Sequence, residues 1–80
     1  MAMKVEIITP EQTLFEGDGS FVFLPGSDGS LGVLNNHAPL ISSLKKGVVR
    51  VKDNGGKEHR FEVKGGTVEV FNNKVTILAE

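Results

Sequence analysis

Eighty residues, a formal net charge of −1 and no cysteine describe one small unit with a single core and no room for a separate catalytic domain. Without cysteine there are no disulfides, thiolate metal sites or cysteine nucleophiles, and the scattered, nearly balanced charge offers no basic face to nucleic acid or an anionic membrane. A domain of this size buries only about 60% of the surface its unfolded chain exposes, so a partner is the expected source of further stability.

Strand periodicity dominates the chain from its first residues onward. KVEII at 4–8 is rich in β-formers and is closed by Thr9 and Pro10. TLFEG follows, then GSFVFLPG, where Val22 and Leu24 should face one way and Phe21 and Phe23 the other. The stretch GSDGSLGVLNNHAPL at 26–40 is crowded with turn formers, and SLGVL within it reads as a short strand between two tight turns. HAPLISSLKKG is the one window with helical spacing, through Leu40 and Leu44 with Gly47 as a stop; its β-branched and serine content limits the expectation to a single turn or an irregular bend. GVVRVKDN at 47–54, KEHRFEVKG, GTVEVF and KVTILAE then alternate apolar and polar residues and are expected to form a four-stranded meander. Asn54-Gly55 and Asn72-Asn73, residues that tolerate positive φ, are read as two-residue hairpin turns, and Gly65-Gly66 as the turn between another pair of its strands. The fold class expected is all-β, a small antiparallel β-sandwich or flattened barrel of about eight to ten short strands occupying residues 1–80.

The glycines at 26, 29 and 32 suggest a phosphate loop, but Val33 and Leu34 continue as a strand where such a loop needs a helix and a lysine. His37 and His59 lack the third and fourth ligands of a metal site. His59 shares the strand face of Phe61 and Val63 and is expected at the rim of the core, while His37 is expected to fix its loop by a hydrogen bond to a neighbouring carbonyl. Ser27, Asp28 and His37 are not set in a nucleophile elbow. Glu58, Glu62 and Glu69 fall opposite apolar positions, where solvated charge belongs. No catalytic, cofactor or metal residues are therefore assigned. FVFL at 21–24 is apolar on both faces, so Phe21 and Phe23 are expected either to lie under a loop or, the reading preferred, to face a partner, which under the resemblance drawn below is the protein bound by the same domain. The longest apolar runs are far too short to span a bilayer, and Met1 to Lys4 leading into VEIITPE is unlike an export signal. A cytoplasmic protein without direct membrane insertion is expected.

In order and spacing, the run P25-G26-S-D-G29-S-L-G32-V-L-N-N-H37-A38-P39-L40, then LKKGVVRV, then VKGGTVEVFNNKVTILAE, resembles the amino-terminal β-sandwich domain of the epsilon subunit of the bacterial rotary ATP synthase. The resemblance covers Lys4 to Glu80. It implies a non-catalytic part of the central stalk that binds the gamma subunit, rests on the polar loops of the c-ring and couples ion-driven rotation to ATP synthesis, peripheral on the cytoplasmic face of the inner membrane. Carried onto this sequence, Thr9, His37, Ala38, Pro39 and Ser42 match positions facing gamma, and Ser27, Asp28 and Ser30 match the loop over the ring. Many relatives carry an acidic residue where Ser30 stands, which leaves the charged contact to Asp28. Relatives usually continue into a carboxy-terminal helical hairpin that brakes ATP hydrolysis and in some members binds ATP; for a gene product ending at Glu80, directly after TILA, neither helix-dependent inhibition nor nucleotide binding is expected. The alternative is a stand-alone protein-binding or carrier module, for which Lys57 and Lys74 sit near hairpins but outside a carrier setting.

Overall fold

The computed structural model describes residues 3–80, which form eight strands: β1 (Met3–Ile8), β2 (Thr13–Gly26), β3 (Gly29–Leu34), β4 (Leu40–Leu44), β5 (Gly47–Asp53), β6 (Glu58–Val63), β7 (Gly66–Phe71) and β8 (Lys74–Ala79). Hydrogen bonding runs through all eight in the order β1-β8-β7-β4-β2-β5-β6, with β3 on β2 and a second link from β1 to β2. The pairing doubles back on itself, giving two layers. One holds β4, β7, β8, β1 and the first half of β2; the other holds β3, the second half of β2, β5 and β6.

β2 makes this possible by serving both layers. TLFEG and GSFVFLPG, separate stretches in the sequence pattern, are one strand of 14 residues. Residues 13–19 pair with β1, and residues from Phe21 on pair with β3 and β5. The register slips between Gly19 and Phe21, as in a bulge that bends a strand from one sheet into another. Ser20, the extra residue, directs its hydroxyl to the Lys52 and Asp53 carbonyls at 3.2 and 3.4 Å. Gly19 is needed beside it because a Cβ there would press on Val5 Cγ2 at 3.0 Å.

The alternation predicted from sequence places the core. Val22, Leu24, Val49, Val51, Val68, Val70, Val75 and Ile77 are all buried, with Met3, Val5, Ile7, Val33 and Val63 completing the layer between the sheets. Among the described residues, nine of the fifteen buried apolar side chains are valine; short, stiff β-branched groups suit a thin interlayer space and lose little rotamer freedom there. Burying each contributes about 1.5–3 kcal/mol. Phe15 of β2 closes one open end of the sandwich, its ring centroid 5.1 Å from that of His59 and 5.9 Å from that of Phe61.

Three sequence expectations need correction. HAPLISSLKKG holds no helical turn, because Leu40–Leu44 is strand β4, paired with β7 from Leu40↔Val70 to Leu44↔Gly66. The last four strands are not a meander: β5 pairs β6 and β7 pairs β8, but β6 does not pair β7. Gly65-Gly66 carries the chain across to the other layer, with φ of +155° and +136°, a region closed to side chains. The Asn54-Gly55 turn is a three-residue loop rather than a two-residue one, with the positive φ at Gly56 (+87°), the form in which a type I turn is followed by a left-handed glycine. Asn72-Asn73 does form the expected two-residue hairpin, both residues at positive φ (49° and 61°).

Gly66→Ala should destabilise the domain by about 3 kcal/mol or more, since its Cβ would collide with the Leu78 carbonyl as well as face an unfavourable φ. Gly29→Ala, at the same φ but with nothing within 4 Å, should lose only about 1–2 kcal/mol. Urea unfolding of the two variants measures the difference, and equal losses would show that the crossover is not sterically fixed.

Candidate functional site

The sheet facing outward from β4, β7, β8 and β1 is where apolar side chains break the alternation. Ile41, Phe71 and Leu78 are 75%, 56% and 53% exposed, and each lies on the face otherwise occupied by Glu69, Lys74 and Thr76. They make two spots. Ile41 and Phe71 flank a hollow with Pro39 and Glu69; Leu78, with Ile8, Pro10 and Thr67, lines another at the far end of the strands. The polar pair Glu69↔Thr76 lies between them.

His37, Ala38 and Pro39 lie beside the first spot. The His37 amide donates to the Leu34 carbonyl at 3.2 Å, and His37 Nδ1–H donates to the Ala38 carbonyl at 2.7 Å, the neighbouring-carbonyl bond expected of it. Pro39 has a fixed φ and restricts Ala38 to extended backbone. Asn36, at φ +65°, donates its amide to Asn73 Oδ1 at 2.7 Å, so the 35–36 turn and the β7–β8 hairpin are stapled together. Asn73 in turn accepts the Lys4 amide at its backbone carbonyl, at 3.0 Å. Thr9 lies beside the second spot, closing its own turn through two reciprocal bonds with Gln12, Thr9 Oγ1 donating to the Gln12 carbonyl at 3.0 Å and accepting the Gln12 amide at 3.1 Å.

The other residues singled out in sequence are placed elsewhere. Ser42 pairs with buried Val68 and sits half-buried on the core side of β4. Phe21 and Phe23 lie on the outer face of the opposite layer, half-buried. Phe21 lies over Gly32, where a Cβ would sit 3.2 Å from its ring, and the Arg50 guanidinium stands 4.4 Å from the Phe23 ring centroid, a cation–π contact. Leu34, paired with Phe21 and 60% exposed, extends that patch. Ser27, Asp28 and Ser30 are exposed at the β2–β3 hairpin tip. The tip is tethered to β4, since the Ser27 amide donates to the Ser43 carbonyl at 3.0 Å and Ser43 Oγ donates to Ser27 Oγ at 2.8 Å.

His37 lies in the loop between β3 and β4 and His59 on β6, and among the described residues no group of three or more metal-ligating side chains occurs. His59 sits at the core rim, as expected, with Nε2 3.0 Å from Asp53 Oδ2. Of the two carrier-type lysines, Lys57 lies in the β5–β6 loop with its amide on Asp53 Oδ1 at 2.9 Å, and Lys74 follows the Asn72-Asn73 turn with Nζ 3.8 Å from Glu6. No helix of the described residues is long and apolar enough to cross a membrane.

Two β-layers over one core, presenting stapled turns and outward apolar spots, define a small β-sandwich domain that offers contoured faces. The sequence profile described as ATP synthase, Delta/Epsilon chain, beta-sandwich domain matches residues 2–80, and the chain belongs to that family. It is 50% identical over 76 residues to the ATP synthase epsilon chain of Pelotomaculum thermopropionicum, covering 95% of this chain and 56% of that one. With the ATP synthase epsilon chain of Brevibacillus brevis it shares 45% identity over 78 residues, or 98% and 59% of the two chains. The chain thus spans somewhat over half the length of these curated relatives. A chain in the cryo-EM structure of the Euglena gracilis mitochondrial ATP synthase (OSCP, F1 and c-ring) superposes with a TM-score of 0.91 at 20% identity, covering 98% of this chain and 50% of its own. One in the central stalk and c-ring of the Tetrahymena thermophila enzyme gives 0.82 at 22%, covering 99% and 63%. At these identities the likeness is one of fold.

The His59 imidazole beside Asp53, with the Lys57 and Gly55 amides, holds the Asp53 carboxyl below its ordinary value of 3.8. A depressed folded-state value stabilises the fold above the unfolded pKa and ceases to do so as pH falls through the folded one. Asp53→Asn should therefore be less stable than the parent by a constant amount at neutral pH, with the gap closing below pH 3.8. Thermal unfolding across an acid series tests this, and a gap that persists at low pH would refute it.

Proposed function

We propose that this domain is a non-catalytic central-stalk component of a rotary ATP synthase, which binds the gamma subunit through its β4-β7-β8-β1 face and meets the c-ring with its β2–β3 hairpin tip. The observation that carries the reading is the pair of exposed apolar spots, Ile41 with Phe71 and Leu78 with Ile8, in a chain that matches ATP synthase epsilon chains along nearly all its length. His37, Ala38 and Pro39 border one spot and Thr9 the other, so four of the residues matched by resemblance to gamma-facing positions frame one surface. Phe21 and Phe23 belong to a second surface, and Ser42 supports β4 from inside.

A coupling element transmits force by keeping its shape. The Asn36–Asn73 staple, the Ser27–Ser43 tether and the fixed φ of Pro39 give the contact regions backbone restraint without a mobile lid. At the tip, Asp28 is exposed and supplies a single negative charge to ring loops, while Ser27 and Ser30 supply hydroxyls. The domain would act at the cytoplasmic face of the bacterial inner membrane, held there by the complex, with no active site or cofactor of its own.

Co-purification with a gamma subunit tests the assignment. Ile41→Ser, Phe71→Ser and Leu78→Ser should each weaken gamma binding about tenfold, the loss expected when an interface apolar group worth about 1–2 kcal/mol is removed, while leaving the unfolding midpoint unchanged or higher. If Phe23→Ser alone abolished binding and these three did not, the docking face would be the opposite layer.

A further inference from the structure

The β5–β6 loop contains the chain's single Asn-Gly dipeptide, Asn54-Gly55, and both residues are exposed. This pairing is open to a spontaneous backbone reaction, because glycine offers no Cβ to obstruct its own amide nitrogen. The Gly55 nitrogen, having lost its proton to solvent base, attacks Cγ of Asn54. An N–Cγ bond closes a five-membered succinimide, the Cγ–Nδ2 bond breaks, and Nδ2 takes a proton from water and leaves as ammonia. Water then adds to either ring carbonyl and opens the ring to an aspartyl or isoaspartyl residue. Nothing is oxidised or reduced.

In this hairpin the nucleophile is engaged. The Gly55 amide donates to Asp53 Oδ1 at 2.9 Å, and the same oxygen accepts the Lys57 amide at 2.9 Å. Asp53 is itself fixed: its other oxygen lies 3.0 Å from His59 Nε2, its amide donates to the Lys57 carbonyl at 2.9 Å, and its carbonyl accepts the Gly56 amide at 3.0 Å. Cyclisation passes through an amide anion, which a carboxylate in hydrogen-bond contact disfavours by like-charge repulsion while it holds the N–H in a strong bond. The surroundings that keep the Asp53 carboxyl below its ordinary value ensure that it is charged at neutral pH.

We propose that Asn54 is a deamidation site gated by Asp53, slow to react while the β5–β6 hairpin is formed and released when the Asp53–Gly55 bond is broken. Reaction adds one negative charge to a chain of formal net charge −1. The isoaspartyl product also lengthens the backbone by one methylene inside a three-residue loop, which breaks the register that Asp53 sets. This inference stands apart from the proposed stalk role.

The test follows the one-dalton mass gain at position 54 by peptide mass spectrometry, in the folded chain at neutral pH and in a synthetic peptide of residues 50–60. The folded chain should react about tenfold or more slowly, the ratio that one charge-assisted hydrogen bond supplies. Asp53→Ala should restore most of the peptide rate while amide hydrogen exchange shows β5 and β6 still paired. Asn54→Gln should abolish the gain in every form. His59→Gln loosens the hairpin tip but leaves the carboxylate on Gly55, and should retain most of the protection. A folded chain that reacts as fast as the peptide overturns the proposal. So does an Asp53→Ala chain that stays at the parent rate, or His59→Gln losing protection as fully as Asp53→Ala, which would assign the retardation to rigidity alone.

Discussion

The bend in β2 is the constraint on which the rest of the domain depends. A single strand that pairs with β1 over residues 13–19 and with β3 and β5 from Phe21 onward fixes the angle between the layers, and that angle fixes the gap that the valine-rich core must fill. Gly19 and Ser20 make the bend by opposite means, one by lacking a side chain where Val5 approaches and the other by tying its hydroxyl to β5. With so little interior, the domain gains its rigidity from closure: each layer is held by the other through a shared strand, and further loops are pinned by the Asn36–Asn73 and Ser27–Ser43 bonds.

Much of this architecture was legible because alternation is a direct consequence of the pleat. Val22 against Phe23, Val49 against Arg50 and Val68 against Glu69 sort to inside and outside as their spacing predicts. What alternation does not encode is which strand lies next to which. Gly65-Gly66 looks like any other glycine turn, yet its unusual φ values carry the chain to the opposite layer, and only the position of β8 beneath Gly66 decides it. β4 was missed for a related reason: in LISSL two leucines four apart match a helical stripe as well as an edge strand, and pairing with β7 settles the matter in favour of extension.

The candidate surface was half legible. The local chemistry of His37 followed from its neighbours, and its bond to Ala38 is of the kind expected. Ile41, Phe71 and Leu78 were passed over, although a signal existed. Phe71 stands in phase with Glu69, and Leu78 with Lys74 and Thr76, so each is an apolar residue in the polar phase of an otherwise regular strand. The same reasoning applied to Phe21 and Phe23 gives their phase, and their half-burial adds what the phase does not carry, the neighbours Gly32 and Arg50 on adjacent strands. Cross-strand neighbours are a property of register, which distant segments of the chain set together.

The parallel pairing of β1 with β8, from Lys4↔Lys74 to Ile8↔Leu78, has a bearing on how the molecule comes into being on the ribosome. On leaving the exit tunnel β1 can find β2 early, but its other edge stays open until β8 is translated and released. Because contacts so distant in sequence form slowly, the nascent polypeptide carries an unsealed sheet edge until β8 has emerged. Closure of the sandwich then waits for β8, whereas β2, β3, β5 and β6 of the other layer can already pair with one another.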